Sequence, residues 1–550
     1  MKYFAAIFFA IASPFFATAQ LMQVKETFTR ADSLRGNLTA ERNCYDINYY
    51  HLDVKLDVGK RFISGSNLFS FTATQDFQLL QFDLFDNLKV EKVEYKGQRL
   101  SFKREFNAVF VTFPSVIRKG SRENFTVFYS GYPTVAKNAP WGGGVMFSKD
   151  ENGKPWVATA CQGVGASIWW PNKDHQADEV DSMLISVTVP PGLQDVSNGR
   201  LRKVSDMGKG WKKYDWFVSN PINNYCVALN IGDYTHWSDV YQGEKGPLTL
   251  DYWVLKANRE KAQKQFGENV KPMLKAFEHW FGPYPFYEDG YKLVETPHLG
   301  MEHQSAVAYG NKFRNGYMGR DLSETGWGLK WDFIIVHESG HEWFGNNITS
   351  KDLADMWIHE SFTNYSESLF IESLYGKQAG QEYVNGTRGS IQNDRPIIGT
   401  YNVNKEGSGD MYYKGGNVLN MIRAIIGNDE KWRSILRGLN KTFYHQTVTA
   451  GDITSYISRE SGIDFSKVFQ QYLHLRTLPV LEVRFVDEKP FCRWVSEVDG
   501  FDMPVRVRVK GGEYKVINPS TSFTSLELPG VNRANFEADT FNFYIGVLVD

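Results

Sequence analysis

FIIVHESGHEWFGNNIT, residues 333–349, sets His337 and His341 four residues apart, with Glu338 directly after the first. On a helix, a four-residue spacing brings both imidazoles to one face within reach of a single metal ion. Glu338 then lies beside that ion, where it can take a proton from water. The flanks Trp331, Phe333 to Val336, Trp343 and Phe344 are apolar almost all round, which describes a helix buried in a core. Gly345-Asn346-Asn347 ends it. Two histidines and a glutamate in a dry helix call for a charge partner, and a metal supplies one.

A catalytic zinc needs a third protein ligand and one open position. Eighteen residues separate His341 from Glu360, in DMWIHESFTNYSESLF at 355–370, the next strong helical pattern. A helix, a loop and the first turn of a second helix fill that gap. Glu367 follows seven residues later on nearly the same face, placed to hold a ligand imidazole from behind. With 11 histidines in 550 residues, HExxH arises by chance on the order of once in a hundred such chains. Requiring the later glutamate lowers that by roughly another tenfold or more. His359, about 100° from Glu360 around the helix, reads as structural.

N-terminal to this centre, residues 48–234 read as β. In HLDVKLDV (51–58), Leu52, Val54, Leu56 and Val58 alternate onto one face, and 108–113 and 124–129 are similar. Turns such as Val58-Gly59-Lys60 and Ser130-Gly131-Tyr132-Pro133 separate them. Helical spacing takes over at 257–281, with Pro272 as an expected break or kink. It continues through 330–344, 356–375, 412–426, 431–439 and 453–458, the last behind a Thr449/Asp452 cap. Period-two segments return at 480–485 and 505–509. The expected fold class is α+β multidomain: an N-terminal β saddle or sandwich (20–236), a mainly helical domain that carries the metal-binding residues (237–478) and a small C-terminal β-domain (479–550).

Composition narrows the function classes. Lys plus Arg (61) nearly cancels Asp plus Glu (63), so no charge excess points to nucleic acid or an anionic membrane. Hydrophobic content of 42% with 15% aromatics excludes disorder and coiled coil. The opening MKYFAAIFFAIASPFFATAQ has one early lysine, a short apolar stretch broken by Pro14, and Ala17-Thr18-Ala19. That pattern predicts a signal peptide over residues 1–19, cleavage before Gln20, and a periplasmic or secreted protein without stable membrane insertion. In that oxidising setting Cys44, Cys161, Cys226 and Cys492 could pair, with no pairing specified.

HESGH, eighteen residues, then Glu360 resembles the signature of the gluzincin zinc aminopeptidases, the family of aminopeptidase N and the leukotriene epoxide hydrolases. Leu299-Gly300-Met301-Glu302-His303 resembles that family's Gly-x-Met-Glu-Asn exopeptidase motif. Tyr412-Tyr413-Lys414-Gly415 resembles its Tyr-x-Lys-Gly segment, and Ala160-Cys161-Gln162 a loop that helps hold the substrate amine. YDINYYHLDVKLDV (45–58) and LNIGDY (229–234) also resemble its N-terminal domain.

The resemblance implies a thermolysin-like zinc catalytic domain over 237–478 and one zinc ion per chain, with His337, His341 and Glu360 as ligands, Glu338 as general base and Tyr412 as donor to the oxyanion. It implies Glu302, with Gln162, Gly300, Met301 and His303, around the free amine of a peptide substrate. Two departures stand out. His303 replaces the family's Asn and is expected to compete for Glu302 when protonated. Only about seventy residues follow Leu478, and they read as β, so the helical lid of many relatives is not expected over the cleft. The expected function is a secreted zinc aminopeptidase; the alternatives are an epoxide hydrolase, a non-catalytic peptide-binding protein and a thermolysin-like endopeptidase.

Overall fold

The computed structural model describes residues 26–550. The predicted signal peptide lies outside the described residues. In the N-terminal part, the alternating apolar strand Tyr45–Asp57 sits at the centre of an eight-stranded sheet, between the antiparallel Phe62–Ala73 and the parallel Ser182–Val189. Leu52, Val54 and Leu56 face inward, as period two requires. Three further strands, Phe77–Asp83, Ala108–Ile117 and Ser101–Glu105, pair separately, and their apolar faces meet those of the large sheet in one core.

A five-stranded sheet carries the chain across the expected boundary at 236. Tyr234–Gly243 and Gly246–Leu255 form a hairpin, and Tyr291–Glu295, Val307–Tyr309 and the edge strand Gly300–Met301 complete it. The strands 291–309 interrupt a region that reads as helical from sequence. They are two to five residues long, too short to show a period.

The predicted helices are present at Arg259–Phe281, Phe333–Gly340, Trp357–Tyr375, Tyr413–Ile426, Asp429–Thr442 and Ala450–Ser461. Thr449 and Asp452 form the expected capping box. Pro272 does not break the first of these helices. Its neighbours Val270, Met273, Leu274 and Phe277 are buried in the core, and that apolar burial outweighs the one backbone bond proline forgoes. The Phe333–Gly340 helix is shorter than expected: the N–H groups of Glu342 and Trp343 bond the carbonyls three residues back, of Ser339 and Gly340, as the chain tightens out of the helix. Gly345 then turns the chain with φ +129°.

The C-terminal strands form two small sheets around Val480–Val486 and Val505–Val509. Leu481, Val483, Trp494 and Val505 belong to the same contiguous apolar core as the catalytic helices, so this β region packs as a buttress on them. All four cysteines are buried and free, and the possible pairing among them does not occur. No helix among the described residues is long and apolar enough to cross a membrane.

Candidate active site

Asp332 starts the histidine helix. Its carboxylate accepts from the N–H of Ile334 and Ile335 at the helix N-terminus, and also from Gln265, Tyr309 and Asn311 at 2.7–2.8 Å. Burial raises this carboxyl to about 6 against those donors. An aspartate directly before an apolar helical run is an N-cap signal legible in the sequence.

Along this helix, each imidazole is held by its rear nitrogen. His337 Nδ1 donates to Glu367 Oε1 at 2.7 Å, and Tyr383 donates to the other Glu367 oxygen at 2.7 Å. His341 Nδ1 donates to the Phe344 carbonyl at 3.0 Å. Both Nε2 atoms are therefore left as acceptors. They converge on Glu360 Oε2, at 3.7 Å from His337 and 3.4 Å from His341. That oxygen is buried and has no hydrogen-bond partner. Three ligand atoms lie within 4.8 Å of one another, two imidazole nitrogens and one carboxylate oxygen.

This donor set fits a zinc ion. The local field agrees: although burial would lower it, Glu360 and Glu302 push the His341 imidazole up to about 8. Burial alone would raise Glu360, yet His341 and His337 hold it well below the usual carboxylate range. The point where the three side chains meet favours positive charge.

Around this centre lies a cleft of about 800 Å³, lined among others by Gln162, Gly300, Met301, Glu302, Glu338 and Tyr412. Burial pushes the Glu338 carboxyl up to about 7 while His337 draws it down. Glu302 is raised by burial, lowered by His341 and raised again by Glu360. Gln162 Nε2 donates to Glu302 Oε1 at 2.6 Å and to Glu360 Oε1 at 3.0 Å, tying the amine-side acid to the metal-side acid. Gly300 has no room for a side chain: a Cβ there would stand 2.6 Å from Glu338 Oε1. The Tyr412 ring stacks near His337, centroids 6.1 Å apart. Burial and then Glu360, Glu302 and Glu406 push its phenol well up, so it stays an O–H donor.

His303 behaves differently from its expected role. It is fully buried, neither ring nitrogen has a protein partner, and it packs edge-on to His298. Burial lowers its pKa to about 3, so it carries no charge with which to compete for Glu302. Burial overrides the polarity its place in the motif implied. His359 is structural as expected, accepting from Ser350 N–H at 2.8 Å.

Sequence reasoning missed the loops that wall the cleft. Arg395, Asn404, Lys405 and Glu406 line it from the segment before Tyr412. The N-terminal helix Arg30–Gly36 supports that segment: a Cβ on Gly36 would meet Asn404 N at 2.1 Å. Arg35 donates to the carbonyls of Gly163 and Val164, and Asn404 Nδ2 reaches the same Gly163 carbonyl at 3.1 Å. No local pattern marks these contacts, because they join residues more than a hundred positions apart.

With the geometry in place, residues 267–472 match the peptidase family M1 domain. This segment is a peptidase family M1 domain. The chain is 23% identical to probable aminopeptidase 1 of Saccharolobus solfataricus, over 60% of the chain and 43% of that relative. It is 24% identical to leukotriene A-4 hydrolase of Xenopus laevis, over 80% and 73% respectively. Alignments with the first curated relatives span about half of their length or less. In fold it resembles the M1 zinc metallopeptidase of Deinococcus radiodurans, with TM-score 0.67 and 22% identity over 79% of this chain and 94% of that one.

Proposed function

We propose that this protein is an exported zinc aminopeptidase of the M1 type that removes the N-terminal residue of peptides. The observation that carries this reading is a buried Glu302 joined through Gln162 to Glu360, beside two histidines whose free nitrogens converge on that same glutamate. A structure of the Deinococcus radiodurans enzyme holds a Tyr-Ser-Ala substrate, which is consistent with a peptide in this cleft.

His337, His341 and Glu360 would hold the zinc ion, which polarises the scissile carbonyl and acidifies water when bound. Glu338 takes the proton of the attacking water and returns it to the leaving amine. Tyr412 donates a hydrogen bond to the oxygen that gains charge. Glu302 pairs with the substrate ammonium, and the Gln162 amide holds that carboxylate in place. An internal peptide segment brings no cation, so it would leave a buried anion unpaired, and the site discriminates against it.

The test uses residues 20–550 and a leucine amide chromogen beside its N-acetylated twin. Cleavage of the free-amine substrate alone, lost with chelator and restored by zinc, is expected. Zinc content of one per chain and a chelator-induced drop in Tm check the metal independently of activity. Cleavage of both substrates moves the reading to an endopeptidase, and cleavage of neither removes it. Residues 1–19 are proposed as a cleaved leader. N-terminal sequencing of the protein made in its own cell tests this, with Gln20 expected first.

A further inference from the structure

The cleft gathers acids at its centre, and one wall adds two cations beside the acid Glu406. Its floor holds Glu302, Glu338 and Glu360. One wall is the segment between the short helical turns Thr387–Ser390 and Gly409–Met411, which contributes the cations Arg395 and Lys405. Lys405 is already engaged: its Nζ pairs with Glu26 and lies 5.8 Å from the centre of the Phe28 ring.

Arg395 is not engaged. Its guanidinium makes one hydrogen bond, from Nη2 to the Gly407 carbonyl at 3.0 Å, and it forms no ion pair among the described residues. Neighbouring acids do not claim it. Asp394 accepts from the Ser408 hydroxyl instead, and Glu406 feels the Arg395 charge through space without pairing. A guanidinium has five donors in a planar fork that matches a carboxylate. Here one of them ties the group to its own loop, and the side chain remains exposed on the cleft wall.

We propose that Arg395 binds the α-carboxylate of a short peptide whose ammonium sits at Glu302, so that the enzyme favours short peptides with both ends free. This rests on the aminopeptidase reading and adds a second anchor to it. Two charged anchors measure length. An extended peptide advances about 3.3–3.6 Å per residue, so only one or two lengths present a carboxylate to Arg395. A longer peptide lays an uncharged peptide group there. Lysine at this position keeps the charge but loses the fork.

The experiment is a series, Leu-Gly, Leu-Gly-Gly and Leu-Gly-Gly-Gly, each as free acid and as C-terminal amide, with the zinc-loaded enzyme. At the matching length, kcat/KM for the acid is expected to exceed that for the amide by about tenfold, the scale of one charge-assisted hydrogen bond. Arg395→Gln is expected to bring that ratio close to one, and Arg395→Lys to retain part of it. A ratio near one at every length in the unaltered enzyme, with all six peptides cleaved, overturns the role of Arg395 and leaves the aminopeptidase standing. A ratio that survives in Arg395→Gln also overturns it, since another group then holds the carboxylate. Cleavage of none of the six removes the aminopeptidase reading, and this inference with it.

Discussion

Glu338 and Glu367 are both carboxylates close to His337, and their surroundings separate their duties. Glu367 is buried between the His337 Nδ1–H and the Tyr383 hydroxyl, both oxygens engaged. It orients an imidazole and has nothing left for chemistry. Glu338 faces the cleft, and burial raises its carboxyl to about 7. Glu338→Gln keeps the shape and removes the base; kcat is expected to fall by about 10²–10⁴ with zinc content unchanged. Glu367→Gln is expected to act on the metal instead, weakening zinc affinity about 10–100-fold in a chelator competition titration. If the two variants lose the same property, this division of labour is wrong.

At the level of elements, the site is assembled where an edge strand meets a helix. Gly300–Met301 lies at the end of the five-stranded sheet, close enough to the histidine helix that a methyl on Gly300 would stand 2.6 Å from Glu338 Oε1 and 2.9 Å from Ile334 Cγ2. The helix is backed by apolar core, so strand and carboxylate are the parts that must give. Gly300→Ala is expected to lower kcat at least about tenfold, with stability reduced by roughly 1–3 kcal/mol as for other overpacked sites. Unaltered kinetics would mean that the strand shifts freely. The glycine itself was visible in the sequence as part of a motif. The contact that makes it necessary was not, because strand and helix lie more than thirty residues apart and no periodicity links them.

Across the whole molecule, the junction between the N-terminal sheets and the catalytic helices contains a buried acid, Glu295. It accepts from Leu255 N–H and Asn258 Nδ2, each at 2.8 Å, and burial pushes it up to about 7 from 4.5. Between those two values the folded chain binds a proton that the unfolded chain has released. Its contribution to stability therefore falls as pH rises from about 4.5 to about 7, and the penalty is complete above that. One pKa unit is about 1.4 kcal/mol, so the span is on the order of 3 kcal/mol. Glu295→Gln cannot titrate, and its amide can still accept from Leu255. Denaturant unfolding at pH 5 and pH 8 is expected to show a smaller loss of stability with rising pH in the variant than in the parent. Equal losses would place the titrating group elsewhere.

Local rules were enough for the alternation in Tyr45–Asp57, the Thr449/Asp452 cap and the helical runs, because backbone geometry repeats every 2 or 3.6 residues. The same rules placed His337, His341, Glu338, Glu360 and Glu367, since one helix turn and one following helix bring them together. Those local rules thus specified the metal-binding face and the order of β, helical and β regions. Tertiary structure alone decided what depends on distant segments. It carried the helix through Pro272, left the cysteines apart, buried His303 edge-on to His298, joined Gln162 to both Glu302 and Glu360, and left Arg395 without an ion-pair partner among the described residues. The physical reason is common to all of these: burial and pairing energies are set by whatever packs alongside, and a linear spacing carries no information about neighbours from the other side of the core.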